Sequence, residues 1–221
     1  WEYGDPASTQ DEWEATGVLI NSLTLGFDAL SAPGNSMWMA EGDLIALNRA
    51  PAAMTSSLSA PATLENMEGH LTTLSEGSTA TAFGSLSALT GSLKQFSLTS
   101  DLSAIIRAYG GSTDVGTAIG RSDKAATEFT ALVAISSTSK SDILDIFEVA
   151  GSVPTERRWR IAIDGSGNNA ATIDARVRFT AANVGEHEGE RLYEVTGQFV
   201  YDSTLASHGT ITVTNDIAAH S

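Results

Sequence analysis

The groups best suited to acid–base or metal chemistry near neutral pH are four histidines, His70, His187, His208 and His220. All stand in polar, loop-like contexts, and none has the H-x-x-x-H spacing that sets two imidazoles on one helical face. Serine is abundant, but no G-x-S-x-G elbow presents one as a nucleophile. The stretch "DGSGNN" at 164–169 alternates Asp164, Ser166 and Asn168 as possible oxygen ligands for calcium. A calcium loop needs a carboxylate at its twelfth position, and counting from Asp164 reaches Ala175. The stretch therefore reads as a hairpin turn in which Gly and Asn take positive φ. "GEHEGE" at 185–190 reads as a second, acidic turn. The expectation is a chain that is not an enzyme, with no catalytic, cofactor-binding or metal residues.

Charge offers more. Arg157, Arg158, Arg160, Arg176 and Arg178 are five of the twelve basic residues and fall in two short runs, "RRWRIAI" and "TIDARVRF". Trp159, Ile161 and Ile163 share one face of the first run; Ile173, Ala175, Val177 and Phe179 share one face of the second. Arg158, Arg160, Arg176 and Arg178 then take the opposite face, beside Asp174, if the two strands pair. Like charges on adjacent strands destabilise a sheet unless acidic partners are supplied. The rest of the chain is acidic, so a neighbouring subunit could supply them, and these four arginines are the candidate subunit-interface residues. The competing readings are a solvated basic face and a patch gripping DNA.

The elements that must position these groups read mainly as strands. "VLINSLTLGF" sets Leu23, Leu25 and Phe27 on one face. "SMWMAEGDLIALN" holds a strand around Leu44 to Leu47. "GSLKQFSLTSDL" sets Phe96 with Leu98, and a strand near 127–136 sets Phe129, Ala131, Val133 and Ile135 together. "RLYEVTGQFVYD" aligns Tyr193, Val195, Phe199 and Tyr201, and "TITVTN" aligns Ile211 and Val213. One helix is expected over 141–150, where Ile143, Ile146, Phe147 and Ala150 form an i, i+3, i+4, i+7 stripe. Ser141 is its N-cap and Gly151 its C-cap. Alternation this regular implies half-buried strands in a mainly β (α+β) fold: a β-sandwich or open barrel with one flanking helix. The candidate core is Phe96, Leu98, Phe129, Val133, Ile146, Phe147, Trp159, Ile161, Val177 and Phe199. The whole of 1–221 reads as a single domain with an acidic N-terminal arm over 1–15. Residues 50–90, rich in Ala, Ser, Thr and Gly, read as an extended arm or loop.

The 221 residues contain no Cys, which excludes disulfides and thiolate metal sites. No apolar run is long enough to span a bilayer as a helix, and the acidic opening "WEYGDPASTQDEWEATG" does not read as a signal peptide. Net charge is −15, with only Lys94, Lys124 and Lys140 as lysines, so a grip on a phosphate backbone is not expected. Acid-rich, lysine-poor surfaces suit high salt, so a saline or halophilic origin stands beside the reading of an ordinary acidic protein from a GC-rich genome.

The order of these pieces, from "GSLKQFSLTSDL" through a Gly-rich loop, "TEFTALVAIS", "DILDIFEVAG" and "RRWRIAIDG" to "LYEVTGQFVYD" and "TITVTND", resembles the tail tube (major tail) proteins of long-tailed, siphovirus-like viruses. The resemblance covers roughly residues 90–216. It implies a β-sandwich with a flanking helix and a structural virion protein of the tail, assembled in the host cytoplasm into stacked hexameric rings. It also implies partners: further copies of the chain, a tape-measure protein and the tail end-proteins, with DNA passing through unbound. The alternative is a secreted or surface β-sandwich that recognises carbohydrate or protein.

Overall fold

The computed structural model describes residues 2–3, 13–30, 36–51, 67–89, 93–101, 104–107, 118–121, 126–135, 156–165, 169–187 and 189–214. Its strands, in chain order, are β1 (Glu2–Tyr3), β2 (Trp13–Asp28), β3 (Met39–Pro51), β4 (Thr72–Ser78), β5 (Ser87–Leu89), β6 (Leu93–Asp101), β7 (Ala104–Arg107), β8 (Ala118–Arg121), β9 (Ala126–Ala134), β10 (Glu156–Asp164), β11 (Ala170–His187), β12 (Glu190–Val200) and β13 (Gly209–Thr214). The fold is mainly β. One large antiparallel sheet runs in the order β1-β2-β6-β9-β12-β11-β10-β4-β5, with β13 added to β11 and β3 to β2, and it does not close into a barrel. A separate ribbon pairs β7 with β8. Two single 3-10 turns, Gly69–Leu71 and Phe83–Ser85, are the only helical pieces among the described residues. The helix expected over 141–150, with its core candidates Ile146 and Phe147, lies outside the described residues.

The chain divides into two compact units. The smaller comprises 1–23, 41–62 and 100–126; the larger comprises 24–40, 63–99 and 127–221. In the smaller unit β1 pairs with β2 through Glu2↔Glu14 and Tyr3↔Trp13, so the expected N-terminal arm contributes a short strand. Residues 4–12 lie outside the described residues. Gly42 lies so close to β2 that a Cβ there would stand 2.5 Å from the Ser22 carbonyl oxygen. The Ser22 hydroxyl donates to Asp43 Oδ2 at 2.7 Å across this pairing. No side chain of known exposure in this unit is buried, and Leu19, Ile20 and Leu44 are exposed.

The larger unit holds the core. Phe96, Leu98, Phe129, Val133, Trp159, Ile161, Val177 and Phe199 are all buried in it. Strand β11 organises the unit. Over 170–175 it pairs with β10 on one edge and β13 on the other; from Arg176 onward β12 takes the edge that β13 leaves. An extra residue, Thr180, bulges between Phe179 and Ala181 in the β11–β12 register and bends the strand. Phe129 of β9 lies 5.1 Å from Trp159 of β10, although two strands stand between β9 and β10 in the sheet. The sheet must therefore fold back so that two of its stretches face each other, which is the packing of a sandwich. Trp159–Phe179 at 5.3 Å and Phe27–Trp38 at 5.0 Å extend the aromatic contacts.

The reading of 50–90 as an extended arm is corrected over 72–89. There β4 pairs with β10 through seven consecutive residues and carries Leu74, which is fully buried. "TTLSEGS" has a single large apolar side chain, but ladder hydrogen bonds need none, so pairing with β10 places a strand that composition does not announce. Residues 52–66 lie outside the described residues.

Candidate functional site

Strands β10 and β11 pair in the register Glu156↔Arg178, Arg158↔Arg176 and Arg160↔Asp174. Alternation then sets all six side chains on the face opposite Trp159. Arg160 forks onto Asp174, Nε to Oδ1 at 2.7 Å and Nη2 to Oδ2 at 2.8 Å. Its pKa is raised, chiefly by these bonds to Asp174 and against the opposing effect of burial. Arg178 Nε donates to Glu156 Oε1 at 3.0 Å, and Arg176 bonds the other oxygen of the same carboxylate. Burial pushes the Glu156 pKa up, but hydrogen bonds from Arg178 and Arg176 outweigh it and hold the carboxyl below its ordinary value.

Arg158 differs from the other three. It faces away from the Trp159 side yet is only 7% exposed. Its Nε and Nη2 grip both oxygens of Asp202 at 2.8 and 3.0 Å. Nη1 donates to the Thr81 carbonyl at 2.9 Å, Nη2 also reaches the Thr204 hydroxyl at 2.7 Å, and the guanidinium lies 4.9 Å from the Phe83 ring centre. Asp202 is 1% exposed and also accepts from the Thr204 backbone N–H at 2.7 Å. Desolvation raises its pKa, but bonds from Arg158 and from the Thr204 N–H win and hold it low. One guanidinium thus ties together β10, the 81–83 loop and the turn after β12. A buried charge in this position needs each of those partners.

The acids that pair with these arginines, Asp202, Asp174 and Glu156, come from the same chain. Glu156 was legible in the sequence, because it precedes Arg158 by two residues and so shares its face. Asp202 was not, since 44 residues separate it from Arg158. Arg160, Arg176 and Arg178 remain partly exposed along this face.

A second feature was invisible to pattern reading. An apolar groove of about 460 Å³ lies in the larger unit among Met37, Trp38, Met39, Met67, Ile211 and Val213. Three of the four methionines line it. Met39 is 67% and Val213 58% exposed, so the aligned apolar face of β13 is left open rather than buried. Trp38 anchors the floor by donating its indole N–H to the Thr72 hydroxyl at 2.8 Å.

No family model matches the chain, and no curated protein matches it significantly.

The other sequence motifs fall at turns and strand ends where they lie within the described residues. Gly165 N–H donates to the Asn169 carbonyl at 2.8 Å, closing the turn between β10 and β11; residues 166–168, including the Ser166 and Asn168 of the possible calcium loop, lie outside the described residues. Gly189, at φ +82°, turns β11 into β12. His70 sits 3.1 Å from Glu68 on an exposed turn, His208 stacks edge-on with Tyr201, and His187 ends β11. His220 lies outside the described residues. Among the described residues no three His, Asp or Glu are grouped to hold a metal, and no helix is long and apolar enough to cross a membrane.

Proposed function

We propose that this chain is a structural subunit, the tail tube protein of a long-tailed virus, which assembles with copies of itself into stacked, hexameric rings around a channel for DNA. The observation that carries the reading is the smaller unit. It is β-structure with exposed Leu19, Ile20 and Leu44 and no buried side chain of known exposure. Strands without a packed face are marginal alone in water, so these described strands call for cover. A second copy of the chain is the simplest cover, and repeated copies make a tube. The open groove beside β13 supports the same conclusion, because monomers rarely leave a large apolar patch bare. Of the ordered pieces by which the sequence resembles tail tube proteins, β6, β9, β10, β12 and β13 are strands, and the helix lies outside the described residues. On this reading the other partners are a tape-measure protein and the tail end-proteins, DNA passes without specific contact, and the work of the fold is packing rather than chemistry.

Negative-stain electron microscopy and sedimentation velocity of the purified chain, from dilute to concentrated, test the proposal. Rings or tubes that grow with concentration are expected. A chain that stays monomeric across the range, at low and high salt, would sink it.

A further inference from the structure

The outer face of the larger unit carries a feature that packing does not explain. Where β6, β9, β12 and the bulge of β11 lie side by side, a half-open groove of about 410 Å³ is lined by the hydroxyls of Ser97, Thr99, Thr130, Thr180 and Thr196. Glu128 and Gln198 close one end, with the Gln198 amide donating to Glu128 Oε1 at 3.3 Å. Thr130 stands directly across from Thr196, and Glu128 across from Gln198. The bulge at Thr180 turns its hydroxyl to within 3.2 Å of the Thr196 hydroxyl. Bulges of this kind recur beside binding sites because they re-aim a side chain.

We propose that this groove binds a neutral, polyhydroxylated ligand, a saccharide of one or two pyranose rings. The wall chemistry selects that class. No cation lines the groove, so a phosphate or carboxylate ligand would meet only the Glu128 charge, of its own sign. A cation would meet one carboxylate already engaged by an amide. Hydroxyls both donate and accept, as those of a sugar do, so each contact can form in either sense. A Cβ at Gly197 would stand 2.6 Å from the Phe129 ring and 2.6 Å from the Arg178 carbonyl oxygen, which restricts this position to glycine.

The test uses the full chain with maltose, cellobiose and N,N′-diacetylchitobiose as probes and inorganic phosphate as the control. Binding is followed by isothermal titration and by amide chemical shifts. Saturable binding of at least one disaccharide is expected, with shifts grouped on β6, β9, β12 and Thr180. The double variant Thr130→Val, Thr196→Val keeps shape and removes two hydroxyls; its affinity should fall at least about tenfold. If that variant loses its dispersed spectrum, Ser97→Ala with Gln198→Ala replaces it, and the same loss is expected. No saturation by any of the three disaccharides up to about 50 mM, a range that reaches well past millimolar affinity, would overturn the proposal. So would affinity unchanged in the folded variant, or phosphate binding in the groove as tightly as the sugars. Because the site lies within one chain, the result does not depend on whether the protein forms tubes.

Discussion

The two units of this chain are built from the same kind of strand and differ in what their strands bury. In the larger unit, Trp159, Val177 and Phe179 are at most 1% exposed, and aromatic rings touch from Phe27 through Phe129 to Phe199. In the smaller, Leu19, Ile20 and Leu44 stand in water. Strand propensity is therefore not what makes one unit a core. What matters is whether a second layer covers the apolar face, and the larger unit supplies its own by folding the sheet back. The smaller unit, on the proposed function, receives its cover from another copy.

The sharpest way to break this contrast is to hollow the larger unit. Trp159→Ala should cost about 3–5 kcal/mol, read by urea denaturation; a shift below about 1 kcal/mol would remove Trp159 from the core. Arg158→Met should come next. It leaves Asp202 as a buried carboxylate without its guanidinium, a loss expected at about 3–5 kcal/mol by the same measurement. The double variant Arg158→Met, Asp202→Leu should recover much of that loss, because the stranded charge is gone. A double variant as unstable as the single one would show that packing, rather than charge, sets the cost.

Titration gives the third test. Asp202 and Glu156 both have carboxyls held below their ordinary values in the folded chain. Such groups contribute stability that is fully present above the unfolded carboxyl range near pH 4 and is lost as pH falls through the lower folded values. Thermal melts should thus be level in this contribution from neutral pH to about pH 5 and should fall below about pH 4. The Arg158→Met, Asp202→Leu variant should show a shallower acid limb than the native chain. An identical limb would deny Asp202 a part in it.

Smaller effects are expected on exposed groups. Arg178 has a half-exposed side chain and shares Glu156 with Arg176, so Arg178→Ala should change stability by only about 0–1 kcal/mol. A larger loss would show that the Glu156 cluster acts as a unit. Leu19→Ser with Leu44→Ser should move the melting of the dilute chain least of all, by about 0.5 kcal/mol or less, since neither residue is buried. In concentrated solution the same variant should fail to form the rings or tubes that the proposed function expects of the native chain, as read by electron microscopy. Normal assembly by this variant would take the smaller unit out of the contact.

Local pattern carried most of the strands. The alternation in "RRWRIAI", "TIDARVRF" and "RLYEVTGQFVYD" predicted β10, β11 and β12 together with the face each buries, because a period of two in apolar residues is a direct consequence of the pleat. β4 was not legible: Thr72 to Ser78 offers one leucine, and its place comes from hydrogen bonding to β10, a partner about 85 positions away in register. The arginine face was half legible. Parity set Arg158, Arg160, Arg176 and Arg178 on one side, and the register then put Asp174 and Glu156 within reach. Parity also made Arg158 look like its neighbours, and only the tertiary structure separates it. The 81–83 loop and the turn after β12 close over this one position, turning a surface charge into a buried one with four hydrogen bonds. The sequence by itself determined which side chains share a face, since that depends on bond geometry within a strand. Whether a face meets water, another layer or a loop from far along the chain depends on contacts between distant segments, and only the folded structure decides those.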